Sequence, residues 1–157
     1  MKFFILVFQL FASSFNLTAQ QNADDIIGKW MSVKNNFEVE IFRTGNEFRA
    51  KIIWFDDTDD LTKPMNERRD EKNPNRALRN QKILGMEVLR GLVYNKKNAV
   101  WENGKIYDAT SGRTWSANVR IMKNGNLKVR GYWHFQFLGQ NLFFKITPNF
   151  NYRPPRR

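Results

Sequence analysis

The sequence predicts an all-β, antiparallel fold of about eight to nine short strands, closed as a barrel or stacked as a sandwich. Three observations predict it. Apolar residues recur with period 2, so each run has one apolar and one charged face. Turn residues separate the runs at hairpin spacing. No cysteine occurs among the 157 residues, so neither a disulfide framework nor a thiolate metal site replaces a packed core.

The elements follow in chain order. Lys2 is followed by an apolar stretch from Phe3 to Leu17, broken by Gln9, Ser13, Ser14 and Asn16. Thr18-Ala19-Gln20 then offers small residues near a cleavage point. This layout predicts a signal peptide over 1–20 and a periplasmic or secreted mature protein. The apolar core is short for a membrane span of about 20 residues, and no later stretch approaches one. The barrel domain is expected over 21–147 and a basic tail over 148–157.

Strands are expected at Gly28–Lys34, Phe37–Ile41, Phe48–Trp54, Glu87–Asn95, Ala99–Glu102, Lys105–Asp108, Trp115–Ile121, Leu127–Trp133 and Asn141–Thr147. A two-residue Gly45-Asn46 loop pairs Ile41 with Ala50 and Val39 with Ile52, which brings both apolar sets to one face. At Lys123-Asn124-Gly125 a two-residue loop would put the apolar sets on opposite faces. A three-residue loop with Gly125 left-handed pairs Ile121 with Leu127 and Val119 with Val129, and burial favours it. The inward set is then Phe37, Val39, Ile52, Trp54, Trp115, Val119, Val129 and Trp133.

Residues 56–82 break the alternation. They are rich in Asp, Asn, Arg and Lys and contain Pro64 and Pro74. A short helix over Pro74–Gln81 is expected, capped by Asn73 with Pro74 in its first position. A connection this long is either a functional lid or a plug closing one barrel end.

The chain carries a formal charge of +11, and removing 1–20 takes away only Lys2. A balance this basic favours anionic partners such as components of the cell envelope. The bases are nevertheless spread among acids, and with export expected no nucleic acid is a partner. His134 is the single histidine; alone it makes neither a zinc site nor, without a nucleophile elbow, a hydrolase triad. Asp56, Asp57, Asp59 and Asp60 form an acidic cluster. Asp56 and Glu67 fit the ends of a calcium-loop frame, but Thr58 and Leu61 fail inside it, so a solvated loop is expected. No phosphate-binding or dinucleotide fingerprint is present. No catalytic residue, metal site or cofactor is assigned.

Asp70, Asn73-Pro74, Leu78-Arg79 and Leu84-Gly85 are followed by Gly104-Lys105-Ile106-Tyr107-Asp108, Ser111-Gly112 and Thr114-Trp115. Leu127-Lys128-Val129-Arg130-Gly131-Tyr132 and Leu138-Gly139 complete the series. In order and spacing these resemble the bacterial domain of unknown function 2147 (DUF2147), a family of exported proteins, over about Ile27 to Ile146. The resemblance implies a lipocalin-like barrel, so the fold expected is an up-and-down barrel with the one short helix read above in its long loop. It implies no activity. The chain departs from the family pattern at Thr44 and Arg49, where two cysteines are common, and at His134, Gln140 and Phe144. Gly28-Lys29-Trp30 is similar to the Gly-x-Trp opening of lipocalins. There the Trp packs at the closed barrel end under a basic side chain from a late strand, for which Lys145 or Arg130 would serve.

Polar residues at matching family positions are the candidate ligand contacts: Asp70, Asn73 and Arg79 on the long connection, Tyr107 and Asp108 before a turn, and Arg130 and Tyr132 on one strand face. The alternative is that Asp108 and Asn73 organise turns and an arginine pairs with an acid. With Trp54, Tyr107 and Trp115 as aromatic walls, the patch would sit at a barrel mouth, with Arg79 and Asp108 at its rim, and suit a small hydrophobic or amphiphilic ligand. The competing expectation is a structural or interaction protein of the cell envelope with a filled barrel and a basic surface. An enzyme ranks third.

Overall fold

The computed structural model describes residues 21–132 and 139–148. The strands are β1 (Gly28–Ser32), β2 (Phe37–Thr44), β3 (Glu47–Phe55), β4 (Glu87–Asn95), β5 (Val100–Asp108), β6 (Arg113–Ile121), β7 (Leu127–Tyr132) and β8 (Gln140–Ile146). They form a closed barrel in chain order, each antiparallel to the next, with β8 returning to β1. Among the described residues no helix is long and apolar enough to cross a membrane.

Both tested hairpins have the expected register. Ile41 faces Ala50 and Val39 faces Ile52. Ile121 faces Leu127 and Val119 faces Val129, with Gly125 at φ 80°. Burial of one face fixes these pairings, since a slip of one residue would expose every apolar side chain of the strand.

Three expectations need correction. The runs 99–102 and 105–108 are one strand, β5. Asn103, at φ 65°, sits in an irregularity between Trp101 and Gly104, which lets the chain continue. Gly104 reads as a break but is a packing device: a Cβ there would lie 2.7 Å from Leu92 Cδ2.

The helix expected at 74–81 is a single 3₁₀ turn over Arg76–Leu78, capped by Asn75, whose side chain accepts from the Ala77 amide. Asn73 is engaged elsewhere, as described below.

Trp54 does not face inward. A register shift lies between Glu38 and Val39, so Val39 faces Ile52 while Glu38 faces Trp54. Val39 is in the core, so Glu38 and its partner Trp54 lie on the outer face. With Met31 and Lys145 in neighbouring strands, Trp54 lines an outer groove of ≈ 390 Å³. Trp133 lies outside the described residues, as do His134 and the segments 1–20 and 149–157.

The core occupies the end of the barrel where β1 and β3 begin. Trp30, Ile41, Phe48, Leu92, Trp101, Val119 and Leu127 are buried there. Each such large side chain stabilises the fold by roughly 1.5–3 kcal/mol.

A 3₁₀ turn over Ala23–Ile26 plugs this end. Ile26 is fully buried, and the Ile26 carbonyl accepts from Trp30 Nε1 at 2.8 Å. The Ala23 carbonyl accepts from Trp101 Nε1 at 2.9 Å and the Gln21 carbonyl from Tyr94 Oη at 2.8 Å. The plug thus satisfies both buried indoles, as burial of a tryptophan requires.

Arg43 supplies a basic side chain at this end. It lies over the Phe48 ring and donates to Asp24 Oδ1 at 3.0 Å. Lys145 and Arg130 do not take this place. Each follows an inward residue (Phe144, Val129) and so faces out, pairing with Asn35 and Asn141.

Candidate functional site

At the opposite end the long connection runs along the rim from β3 to the β5–β6 turn. Its acidic start is ordered by Arg68. This guanidinium donates to both Asp59 oxygens, at 2.7 and 3.1 Å, and to the Asp57, Asp60 and Lys63 carbonyls. The carboxyl of Asp59 is thereby held below its ordinary range, chiefly by the hydrogen bond from Arg68.

Further along, the connection is clamped to the outer wall of β5. Asp70 is fully buried. Its Oδ1 accepts from Tyr107 Oη at 2.8 Å and its Oδ2 from Asn73 Nδ2 at 2.6 Å. Asn73 Oδ1 accepts from the Asn75 amide, and the Asn73 carbonyl accepts from Arg79 Nε at 2.8 Å. Burial pushes the Tyr107 hydroxyl up to about 12, helped by its hydrogen bond to Asp70 and the charges of Asp70 and Asp108. Tyr107 is therefore a hydrogen-bond donor at neutral pH rather than a base.

Lys72 Nζ donates to the Thr110 carbonyl at 2.7 Å. Gly112, at φ 70°, lies so close to the Lys72 carbonyl that a Cβ would stand 2.1 Å from its oxygen. Only glycine serves here.

Asp108 organises the β5–β6 turn. Its carboxylate accepts from the Thr110 amide at 2.9 Å, from Thr110 Oγ1 at 2.7 Å and from Ser111 Oγ at 2.6 Å. Burial would raise its pKa, but the hydrogen bonds from Ser111 and Thr110 outweigh that and leave it lowered.

Under the clamp, on the outer wall of β4 and β5, lies a pocket of ≈ 400 Å³. Asn73, Met86, Arg90, Lys105 and Tyr107 are among the residues that line it. The structure therefore gathers Asp70, Asn73, Arg79 and Tyr107 into one network, with Asp108 next to it.

It does not gather the remaining candidates there. Trp54 is on the outer face of β3. Trp115 pairs with Ile106, which packs against the core, so Trp115 faces the lumen. Arg130 and Tyr132 share the outer face of β7. The aromatic-walled mouth expected between Trp54, Tyr107 and Trp115 is thus not one surface. The bulge in β3 turns Trp54 out, and Tyr107 alternates with the inward Ile106.

The lumen above the core has a different character. Leu142 pairs with the buried Val129 and stands two residues before the buried Phe144, so it is on the inner face. It is nevertheless 40% exposed. Gly131 is opposite Ala117 on the same face, and a Cβ there would meet only Ile106 Cγ2 at 3.7 Å and Trp115 Cβ at 3.9 Å. Toward the rim the inner face thus carries an exposed leucine and a glycine above the buried core.

Sequence reasoning overlooked Arg90 and Lys105 as lining residues and the turn at 23–26 as a plug. For the plug a signal existed: Asp25 three residues after Asn22, whose amide donates to Asp25 Oδ2.

No curated protein matches the chain significantly. A solved structure from Helicobacter pylori, described as a protein belonging to the lipocalin family, is similar in fold. The two are 24% identical, with a TM-score of 0.66, and the match covers 78% of this chain and 83% of that one. Residues 28–145 match the family described as "Uncharacterized protein conserved in bacteria (DUF2147)", a span that takes in all eight strands but the last residue of β8, and the chain belongs to that family.

Proposed function

We propose that the protein is exported and binds a small hydrophobic or amphiphilic molecule in the upper half of the barrel, between Ile106, Trp115, Gly131 and Leu142. The observation that carries this reading is Leu142, an inner-face leucine left 40% exposed above the buried core cluster. An eight-stranded barrel has room for packed side chains or for one small ligand, and an apolar inner wall with a glycine in place of a side chain at Gly131 suits the second. Export is supported by the charged and apolar layout of residues 1–20.

The test is native mass spectrometry of the purified protein together with titration by a fluorescent fatty-acid analogue. Gly131→Leu should put a bulky side chain into the ligand's place and abolish binding while the protein stays folded. Gly131→Ala should bind as wild type does, because its methyl meets ordinary contact distances. Wild-type protein that retains no ligand and takes up no analogue would reject the reading. The filled lower core would then favour a structural protein of the envelope.

A further inference from the structure

The pocket opens on the outer wall of β4 and β5, where Arg90, Lys105 and Tyr107 alternate with the inward Leu89 and Ile106. We infer that it is a second binding site, for a small carboxylate with a short apolar tail. Arg90 and Lys105 are cross-strand partners that both line it. Like charges directly opposite each other on a sheet repel. Lys105 Nζ donates to Ser116 Oγ at 2.9 Å, and among the described residues neither cation is in an ion pair.

The acids close by are directed to other partners. Glu87, which also lines the pocket, is held by Arg49 at 3.3 Å. Both oxygens of Asp70 are taken by Tyr107 and Asn73. The pocket thus holds two cations that no acid contacts in an ion pair, with Glu87 the one carboxylate among the lining residues.

The rest of the wall is apolar. Met86 is buried at the base, Val88 is half-buried, and Leu78 is 44% exposed on the connection. An exposed leucine and a buried methionine, both lining a pocket of ≈ 400 Å³, give a short alkyl or aryl tail somewhere to lie. A carboxylate head would accept from Arg90 through paired N–H groups and from Lys105 as a point charge. Cationic amphiphiles would meet two like charges and be rejected.

The test uses three probes with the same tail: octanoate, octanol and octyltrimethylammonium. Binding is followed by calorimetry and by amide shifts in the nuclear magnetic resonance spectrum. Octanoate should bind and shift amides at Val88, Arg90 and Lys105, with affinity falling as salt is added. Octanol should bind more weakly and octyltrimethylammonium not at all. The double variant Arg90→Gln, Lys105→Gln changes only exposed side chains, and should lose octanoate affinity by about tenfold or more.

Gly131→Leu should leave octanoate binding at this wall intact, which separates failure of this site from failure of the lumen. Equal binding of the three probes, shifts confined to the lumen, or an unchanged affinity in the double variant would each overturn the inference.

Discussion

Replacing Tyr107 by Phe tests whether the Asp70 clamp holds the long connection. Asp70 is completely buried and its Oδ1 has Tyr107 Oη as its donor at 2.8 Å. Phenylalanine keeps the ring and removes that donor. A hydrogen bond to a charged group contributes about 1.5–3 kcal/mol, so the variant should lose about 2 kcal/mol and its thermal midpoint should fall by roughly 6–10 °C in a domain of this size. Calorimetry and urea unfolding measure the loss.

Amide exchange locates it. The Asp70 amide donates to the Gln81 carbonyl at 2.9 Å and the Asn73 amide to the Asp70 carbonyl at 3.0 Å, and both should exchange faster. The pH dependence carries a sign. The Tyr107 hydroxyl titrates at about 12 in the fold, against an ordinary value of 10.0. Its contribution is therefore fully present below pH 10 and is lost as pH rises through about 12. The variant should lack that alkaline loss. A destabilisation under about 0.5 kcal/mol, with unchanged exchange at Asp70 and Asn73, would refute the clamp.

Deleting residues 21–26 should strip the acceptors from Trp30 Nε1 and Trp101 Nε1. At about 1–3 kcal/mol for each buried donor left without a partner, the midpoint should drop sharply and tryptophan emission shift to the red; an unchanged spectrum would mean that the plug is dispensable. Asp108→Asn should lower stability near neutral pH and converge on wild type in acid. The Asp108 pKa is lowered in the fold from 3.8, so its contribution is present above that value and lost as pH falls through the folded one. Because the group is partly exposed, the difference from wild type should stay under about 1 kcal/mol and shrink below pH 4, and a gap that instead widens in acid would contradict the assigned hydrogen bonds.

The parts of the fold that were legible in the sequence are those where one physical constraint dominates. In the hairpins around Gly45-Asn46 and Gly125, alternation, turn chemistry and burial all demand the same register. Legibility stops where a single residue is inserted. Ile52-Ile53-Trp54-Phe55 is apolar throughout, so nothing in the pattern marks the shift that turns Trp54 outward. Asn103-Gly104 resembles a turn because Asn and Gly favour turns. Only contact with Leu92, remote in sequence, makes the glycine a strand residue.

Of the candidate site, Asp70, Asn73, Arg79 and Tyr107 do come together, but through contacts 37 residues apart in the case of Asp70 and Tyr107. Such pairing leaves no local signature. Arg90 and Lys105 look like ordinary solvated positions until the connection folds over them.

The plug and the clamp divide the molecule's tasks between its two ends. At one end, Ile26, Trp30 and Trp101 make the interior solid and supply stability. At the other, the connection is anchored to the outer wall through Asp70 and Tyr107. Its hold therefore does not require side chains from the connection to fill the lumen beside Leu142. Substitutions in the plug should change the midpoint with little effect on ligand affinity, and Gly131→Leu should do the reverse. Were the barrel a single filled core, the two sets of variants would behave alike, because every inner side chain would then support its neighbours.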